Sequence, residues 1–207
     1  MWFGRRPHSP CPCCTATDGE VIAPSPDLGR RGALVGGLAL MACAAVPRPA
    51  QAALADLVPP GRRTVRIRRT HSQETVEATY FRDDRYIGDE LARLNWLMRD
   101  VSTDEVEVMD PRLFDVLFTV ATRMGASEAF DVISAYRAPE RNAARARESR
   151  RVSRVSLHMS GMAADCRLPG HNPLGMARLA GEMQLGGVGL YRRDGFIHLD
   201  CGPSRRW

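Results

Sequence analysis

From residue 64 onward the chain first alternates singly between apolar and polar side chains. Val65 and Ile67 stand against Arg66 and Arg68, which predicts a strand over 64–70. Val76, Ala78 and Tyr80 alternate again after the polar stretch His71-Ser72-Gln73-Glu74, so the two strands form a hairpin. The period then lengthens. Ile87, Leu91, Leu94, Trp96, Leu97 and Met98 fall at helical spacing, as do Leu113, Val116, Leu117, Val120 and Met124. The second of these helices opens at Asp110-Pro111, a capping residue followed by Pro at the first helical position.

Residues 130–134 read as a short buried strand. A polar, Ala- and Arg-rich helix or loop follows from Pro139 to about Arg151, and then a strand over 162–168. Asn172-Pro173 caps a helix that runs to about Met183. Strands over 186–191 and 196–201 are separated by a turn at Arg193-Asp194-Gly195. The elements mix without a regular strand–helix–strand alternation. The expected fold class is therefore α+β, a small, mainly antiparallel sheet with flanking helices.

The N-terminal third has a different character. Arg30-Arg31 precedes a weakly hydrophobic, Gly-rich run ending at Val46, and Ala50-Gln51-Ala52 follows it. A charged start, an apolar run of about 15 residues and a small-x-small end describe a secretory signal. Such a run falls short of the roughly 20 residues that span a bilayer, so stable membrane insertion is not expected. The arginine pair points to the twin-arginine route and hence to the periplasm. Leu40-Met41-Ala42-Cys43 loosely matches a lipoprotein cleavage box, a lesser alternative through Cys43. The expected organisation is an N-terminal region over 1–52, a Pro- and Gly-bearing linker over 53–62, and a folded domain over 63–207.

Composition narrows the partners. The chain has 207 residues, 44% hydrophobic and 26% charged, with a net charge of +5. All 29 of its basic residues are Arg. They are spread along the chain without interleaved aromatics, so nucleic acid is not an expected partner. Cys11, Cys13 and Cys14 precede the signal and offer a conceivable metal knuckle. After cleavage at Ala52 only Cys166 and Cys201 would remain, in an oxidising compartment.

The chemistry concentrates in two places, Ser156-Leu157-His158-Met159-Ser160-Gly161-Met162-Ala163-Ala164-Asp165 and Phe196-Ile197-His198-Leu199-Asp200. Two histidines and one aspartate make a three-ligand zinc set with the fourth position left for water. Gly161 permits a tight turn after His158, which would bring Asp165 back on the following strand. Strand alternation puts His198 and Asp200 on one face and turns Cys166 and Cys201 away from it. The cysteines are thus excluded as ligands. On the back of the sheet they form either a disulfide or two buried thiols.

At every fixed position the first cluster resembles the Ser-x-His-x-x-Gly-x-Ala-x-Asp signature of the D-alanyl-D-alanine carboxypeptidase and VanX/VanY-like zinc peptidases, a fold shared with the hedgehog signalling domain. Further stretches narrow the resemblance. They are Leu94-Asn95-Trp96-Leu97-Met98-Arg99-Asp100, Ile133-Ser134-Ala135-Tyr136-Arg137-Ala138-Pro139, Gly186-Gly187-Val188-Gly189-Leu190-Tyr191, Phe196 to Gly202, and the terminal Arg-Trp. Together they are similar to MepK-type periplasmic murein endopeptidases over about residues 63–207. The resemblance implies Zn²⁺ held by His158, Asp165 and His198. It also implies peptidoglycan stem peptides as substrate, notably cross-links between meso-diaminopimelate residues. A carboxypeptidase acting on stem peptides and a zinc-containing wall-binding module without turnover are the alternative expectations. Neither the preferred cross-link nor the oligomeric state is legible.

One departure from the wider superfamily bears on mechanism. Many members place a Glu three residues before the last His, where this chain has Gly195. The expected general base is therefore Asp200, with Asp194 in reserve. Arg137 is expected to stabilise the oxyanion or hold a substrate carboxylate, and Ser156 to bond the substrate backbone.

Overall fold

The computed structural model describes residues 57–149 and 152–207. The signal reading of residues 30–52, Cys43, and the three cysteines at 11, 13 and 14 lie outside the described residues. Eight strands are formed, β1 (Arg63–Arg69), β2 (Thr75–Arg82), β3 (Arg85–Tyr86), β4 (Phe130–Ser134), β5 (Ala163–Arg167), β6 (Gly187–Tyr191), β7 (Phe196–Asp200) and β8 (Arg205–Arg206). The α-helices are α1 (Gly88–Leu97), α2 (Pro111–Met124), α3 (Pro139–Glu148) and α4 (Pro173–Met183), and a 3-10 helix spans Leu157–Ser160.

All strands join one sheet in the order β3-β2-β1-β4-β5-β7-β6-β8. Pairing is antiparallel except for β1 with β4 and β6 with β8. The expected α+β class with a mainly antiparallel sheet is what forms. The sheet gains two edge strands that no apolar pattern announced. β3 and β8 hold two residues each, too short for any period to show.

Helix boundaries follow local chemistry. The Asp110 side chain accepts from Arg112 N at 2.9 Å, Pro111 occupies the first turn, and Gly125 ends α2 in the left-handed region at φ 65°. Asn172 caps α4 in the same way, accepting from Leu174 N at 2.8 Å. The polar helix α3 stops at Glu148, short of the expected Arg151, and Asn142 is its only buried residue.

The apolar stripe of α2, with Leu113, Phe114, Val116, Leu117 and Val120, lies against β1 and β7. It meets a core that includes Val65, Ile67, Val132, Ala164, Cys166, Ile197 and Leu199. Strand alternation therefore sends Ala164, Cys166, Ile197 and Leu199 to this core and sends Asp165 and His198 to the other face. Cys166 and Cys201 are both buried and unbridged, which decides between the two expectations for them.

One polar knot sits inside this framework. Asp115, buried on α2, accepts from Arg63 Nη1 at 2.8 Å, Tyr80 Oη at 2.9 Å and Tyr86 Oη at 2.6 Å. It ties α2 to β1, β2 and β3 at once. Removing the carboxylate strands a largely buried guanidinium and a fully buried phenol. Asp115→Ala is expected to lower unfolding free energy by about 3 kcal/mol in urea titrations. A midpoint within error of the parent would show that the knot contributes nothing net.

Candidate metal centre

The site is laid down by strand register. Asp165 on β5 pairs directly with His198 on β7, which pairs with Gly189 on β6. On the other side Asp165 pairs with Ser134 on β4, past an irregularity between Val132 and Ser134. Ser134, Asp165, His198 and Gly189 thus form one row across four strands.

His158 reaches this row from the 3-10 helix. Ser156 caps that helix, its Oγ accepting from His158 N at 3.4 Å, and Gly161 closes it at φ 64°. A Cβ on Gly161 would also lie 2.7 Å from Val108 O, so the turn needs glycine on two counts. The segment after β4 clamps the ring in place. Arg137 N donates to His158 O at 3.1 Å, and His158 Nδ1 donates to Ala135 O at 2.7 Å.

Three atoms converge as a result. His158 Nε2, Asp165 Oδ1 and His198 Nδ1 are separated by 3.2, 3.0 and 3.3 Å. Their protonation is dictated from behind. A carbonyl can only accept, so His158 carries its proton on Nδ1 and presents a lone pair at Nε2. His198 Nε2 lies 2.9 Å from Asp200 Oδ2, which leaves the Nδ1 lone pair facing the triad. Three lone pairs pointing at one another repel unless a cation stands between them. A tetrahedral ion with bonds of about 2.0–2.1 Å needs ligands roughly 3.3 Å apart. The donor set and its spacing fit zinc.

Electrostatics agree with a cation site. Burial works to raise the Asp165 pKa, but the two histidines outweigh it and hold the carboxyl well below its ordinary range. For His198, burial opposes the charged form, and the neighbouring carboxylates of Asp165 and Asp200 favour it and raise the pKa.

Asp200 stands elsewhere than expected. It shares a face with His198, as strand alternation requires, but it is 0% exposed and lies behind the ring, on the side away from the ligand nitrogen. Its oxygens are fully engaged. Oδ1 accepts from Gly187 N at 2.8 Å and Gly202 N at 2.9 Å, and Arg205 donates to both oxygens at 3.2 and 2.7 Å. Asp200 is thus placed to orient His198, and it has no open path to a water in the cleft. The reserve candidate Asp194 sits exposed in the β6–β7 turn, against a different surface cavity. Gly195, where a Glu was wanting, adopts φ 70°, a turn conformation that disfavours any side chain.

A cleft of about 380 Å³ opens over the triad. Arg137 and Ser156 both line it. Arg137 is buried, its Nη1 donating to Asn142 Oδ1 at 3.1 Å and its Nη2 to Ser134 Oγ at 3.2 Å, and Nη2 stands 3.9 Å from Asp165 Oδ2. The Ser156 hydroxyl already caps the turn that carries His158.

Sequence reasoning missed the opposite wall. Tyr191 and Phe196 stack at 4.5 Å across the hairpin, and the terminal Trp207 indole lies 5.1 Å from the His198 ring. The signal was present in Gly186-Gly187-Val188-Gly189. A Cβ would meet Asp200 O at 1.8 Å from Gly186, Asp200 Oδ2 at 2.3 Å from Gly187, and the Trp207 indole at 2.5 Å from Gly189. These glycines make room for Asp200 and for the C-terminal strand β8.

Comparison with known proteins agrees with this geometry. The model of the family described as "Peptidoglycan L,D-endopeptidase MepK" matches residues 58–207. The chain is 36% identical over 182 residues to the peptidoglycan L,D-endopeptidase MepK of Escherichia coli strain K12, covering 87% of this chain and 98% of that protein. It is 41% identical over 118 residues to a probable peptidoglycan L,D-endopeptidase MepK of Haemophilus influenzae, covering 56% and 63%. No solved structure matches.

The role given to Asp200 has a direct check. Asp200→Asn keeps the shape but weakens the acceptor behind His198, so zinc affinity measured by chelator competition is expected to fall about ten- to a hundredfold. An unchanged affinity would remove Asp200 from ligand orientation.

Proposed function

Because the chain belongs to the family of peptidoglycan L,D-endopeptidases, its model matching residues 58–207, we propose that this protein is a zinc-dependent murein endopeptidase that opens peptide cross-links of peptidoglycan. The observation that carries the reading is the convergence of His158 Nε2, Asp165 Oδ1 and His198 Nδ1 at the floor of a peptide-sized cleft beside Arg137. Zinc bound there supplies Lewis acidity to the scissile carbonyl and acidifies a water.

The chain's own residues do the rest. Asp200 and Arg205 hold His198 in one tautomer and one orientation. Ala135 does the same for His158. Arg137, pinned by Asn142 and Ser134, presents a fixed positive charge next to Asp165 for the oxygen that becomes negative in the transition state. Tyr191, Phe196 and Trp207 give the cleft an aromatic wall for the peptide chain. Among the described residues lining the cleft, Asp165 is the only carboxylate. No base outside the metal ligands lines the cleft among the described residues, so solvent is left to take the proton of the attacking water and to return it to the leaving amine.

In this reading residues 1–52 carry a twin-arginine export signal and the domain works in the periplasm, where its polymer substrate lies. No helix among the described residues is long and apolar enough to cross a membrane.

The test is digestion of isolated sacculi and purified cross-linked muropeptide dimers. Dimers are expected to convert to monomers, to stop doing so with chelator, and to resume with added zinc. Release of only a terminal residue from monomers would make the enzyme a carboxypeptidase instead. No zinc-dependent product would overturn the reading. Arg137→Lys retains charge but loses the planar fork, and kcat is expected to fall about a hundredfold or more with the metal content intact.

A further inference from the structure

A second cavity, about 240 Å³, lies beside the metal centre and shares Arg137, Arg145, Asp165 and Phe196 with the main cleft. Its remaining charged walls are Arg69, Asp100 and Arg141. Four guanidinium groups therefore face two carboxylates, and neither carboxylate has charge to spare. Asp165 turns Oδ1 to the two histidines. Asp100 is 1% exposed and accepts from Ser102 N at 3.0 Å, Ser102 Oγ at 2.7 Å, Ala138 N at 3.0 Å and Arg141. Arg141 is engaged by Asp100 in turn.

Two of the four, Arg69 and Arg145, have no carboxylate bonded to them among the described residues. Arg69 is 2% exposed, and only its Nη2 is engaged, donating to Arg99 O at 3.3 Å. Its Nε and Nη1 have no partner. Burial, with the Arg99 charge nearby, pushes its pKa down to about 10, so it remains charged at neutral pH. The charges of Asp100 and Glu74 offset part of this, yet a buried guanidinium with unbonded donors remains costly.

Arg145 is exposed on α3, where the cavity and the cleft meet. Among the described residues, no hydrogen bond or ion pair engages its guanidinium. It lies four residues after Arg141 and so shares that face of the helix. The helix itself is anchored through Asn142, whose Nδ2 donates to Ser153 O at 2.9 Å while its Oδ1 holds Arg137. Arg145 thus projects from a fixed base with its donors unpartnered among the described residues.

We propose that this cavity is a carboxylate subsite of the cleft. Arg145 binds a free carboxylate of the peptide substrate there, beside the bond that lies over the metal centre, with the buried charge of Arg69 behind it. The subsite rests on the peptidase reading and specifies what the substrate must carry. A planar guanidinium with unoccupied donors grips a carboxylate through two parallel hydrogen bonds. At about 30 Å³ per water, the space takes a carboxylate with a few carbons but no second peptide strand.

The test uses the full zinc-loaded chain with muropeptide dimers from sacculi, either native or with free carboxylates amidated by carbodiimide and ammonia. For the parent protein, amidation is expected to raise KM about tenfold and leave kcat within twofold. R145Q is expected to show that tenfold rise on native dimers and no further loss on amidated ones. R93Q, which removes an exposed arginine of α1, controls for overall charge and is expected to match the parent. Continued discrimination by R145Q, or an equal loss in R93Q, would overturn the subsite. Calorimetric binding of native and amidated muropeptides to the same proteins separates the two readings. If no dimer is cleaved, the peptidase reading fails. A parent preference of about tenfold for native muropeptides that R145Q lacks would still uphold the subsite, and equal binding would refute it.

Discussion

The register of β5 against β7 is the constraint on which this site depends. It sets Asp165 opposite His198 and leaves both on the face away from the α2 core. A slip of one residue would exchange them for Cys166 or Ala164 and for Ile197 or Leu199. The same slip would bury two charged groups and expose the apolar residues that hold the helix. Core packing and site geometry are therefore enforced by one alternation. Asp165 and His198 are placed by the hydrophobic effect acting on their sequence neighbours.

A buried carboxylate behind a ligand histidine has to be neutralised, and the C-terminal strand does this. Arg205 donates to both oxygens of Asp200, and two backbone N–H groups complete its coordination. β8 can approach because β6 presents Gly187 and Gly189 where side chains would collide with Arg205 and Trp207. Three glycines, one aspartate and the last three residues thus form a unit whose output is the orientation of a single imidazole. The other histidine is oriented by a carbonyl in the segment that also carries Arg137, so one segment positions both side chains.

The cleft combines an aromatic wall with a surplus of arginine. Asp165 and Asp100, the carboxylates in reach, are both engaged, and Arg137 and Arg145 line the opening. Such a surface favours an extended peptide bearing negative charge. That is consistent with a family named for action on peptidoglycan, and it gives the net charge of +5 a local meaning.

Periodicity alone made most of the framework legible. The strand at Phe130–Ser134 and the helix from Pro173 to Met183 fall where pattern and caps placed them, because both rest on interactions within a few residues. The cluster of His158, Asp165 and His198 was also legible, since His158, Gly161 and Asp165 carry a local turn-and-strand motif and strand parity excluded the cysteines. What the sequence could not convey was which nitrogen of each histidine faces the site, what stands behind it, and which arginines remain unpaired. Asp200 looked like a base because parity puts it on the ligand face. Only the tertiary structure shows it closed off by Arg205, Gly187 and Gly202. Residue identity and alternation are local properties written in the chain. The saturation of a hydrogen-bonding group depends on partners brought from distant segments, and only folding brings them together.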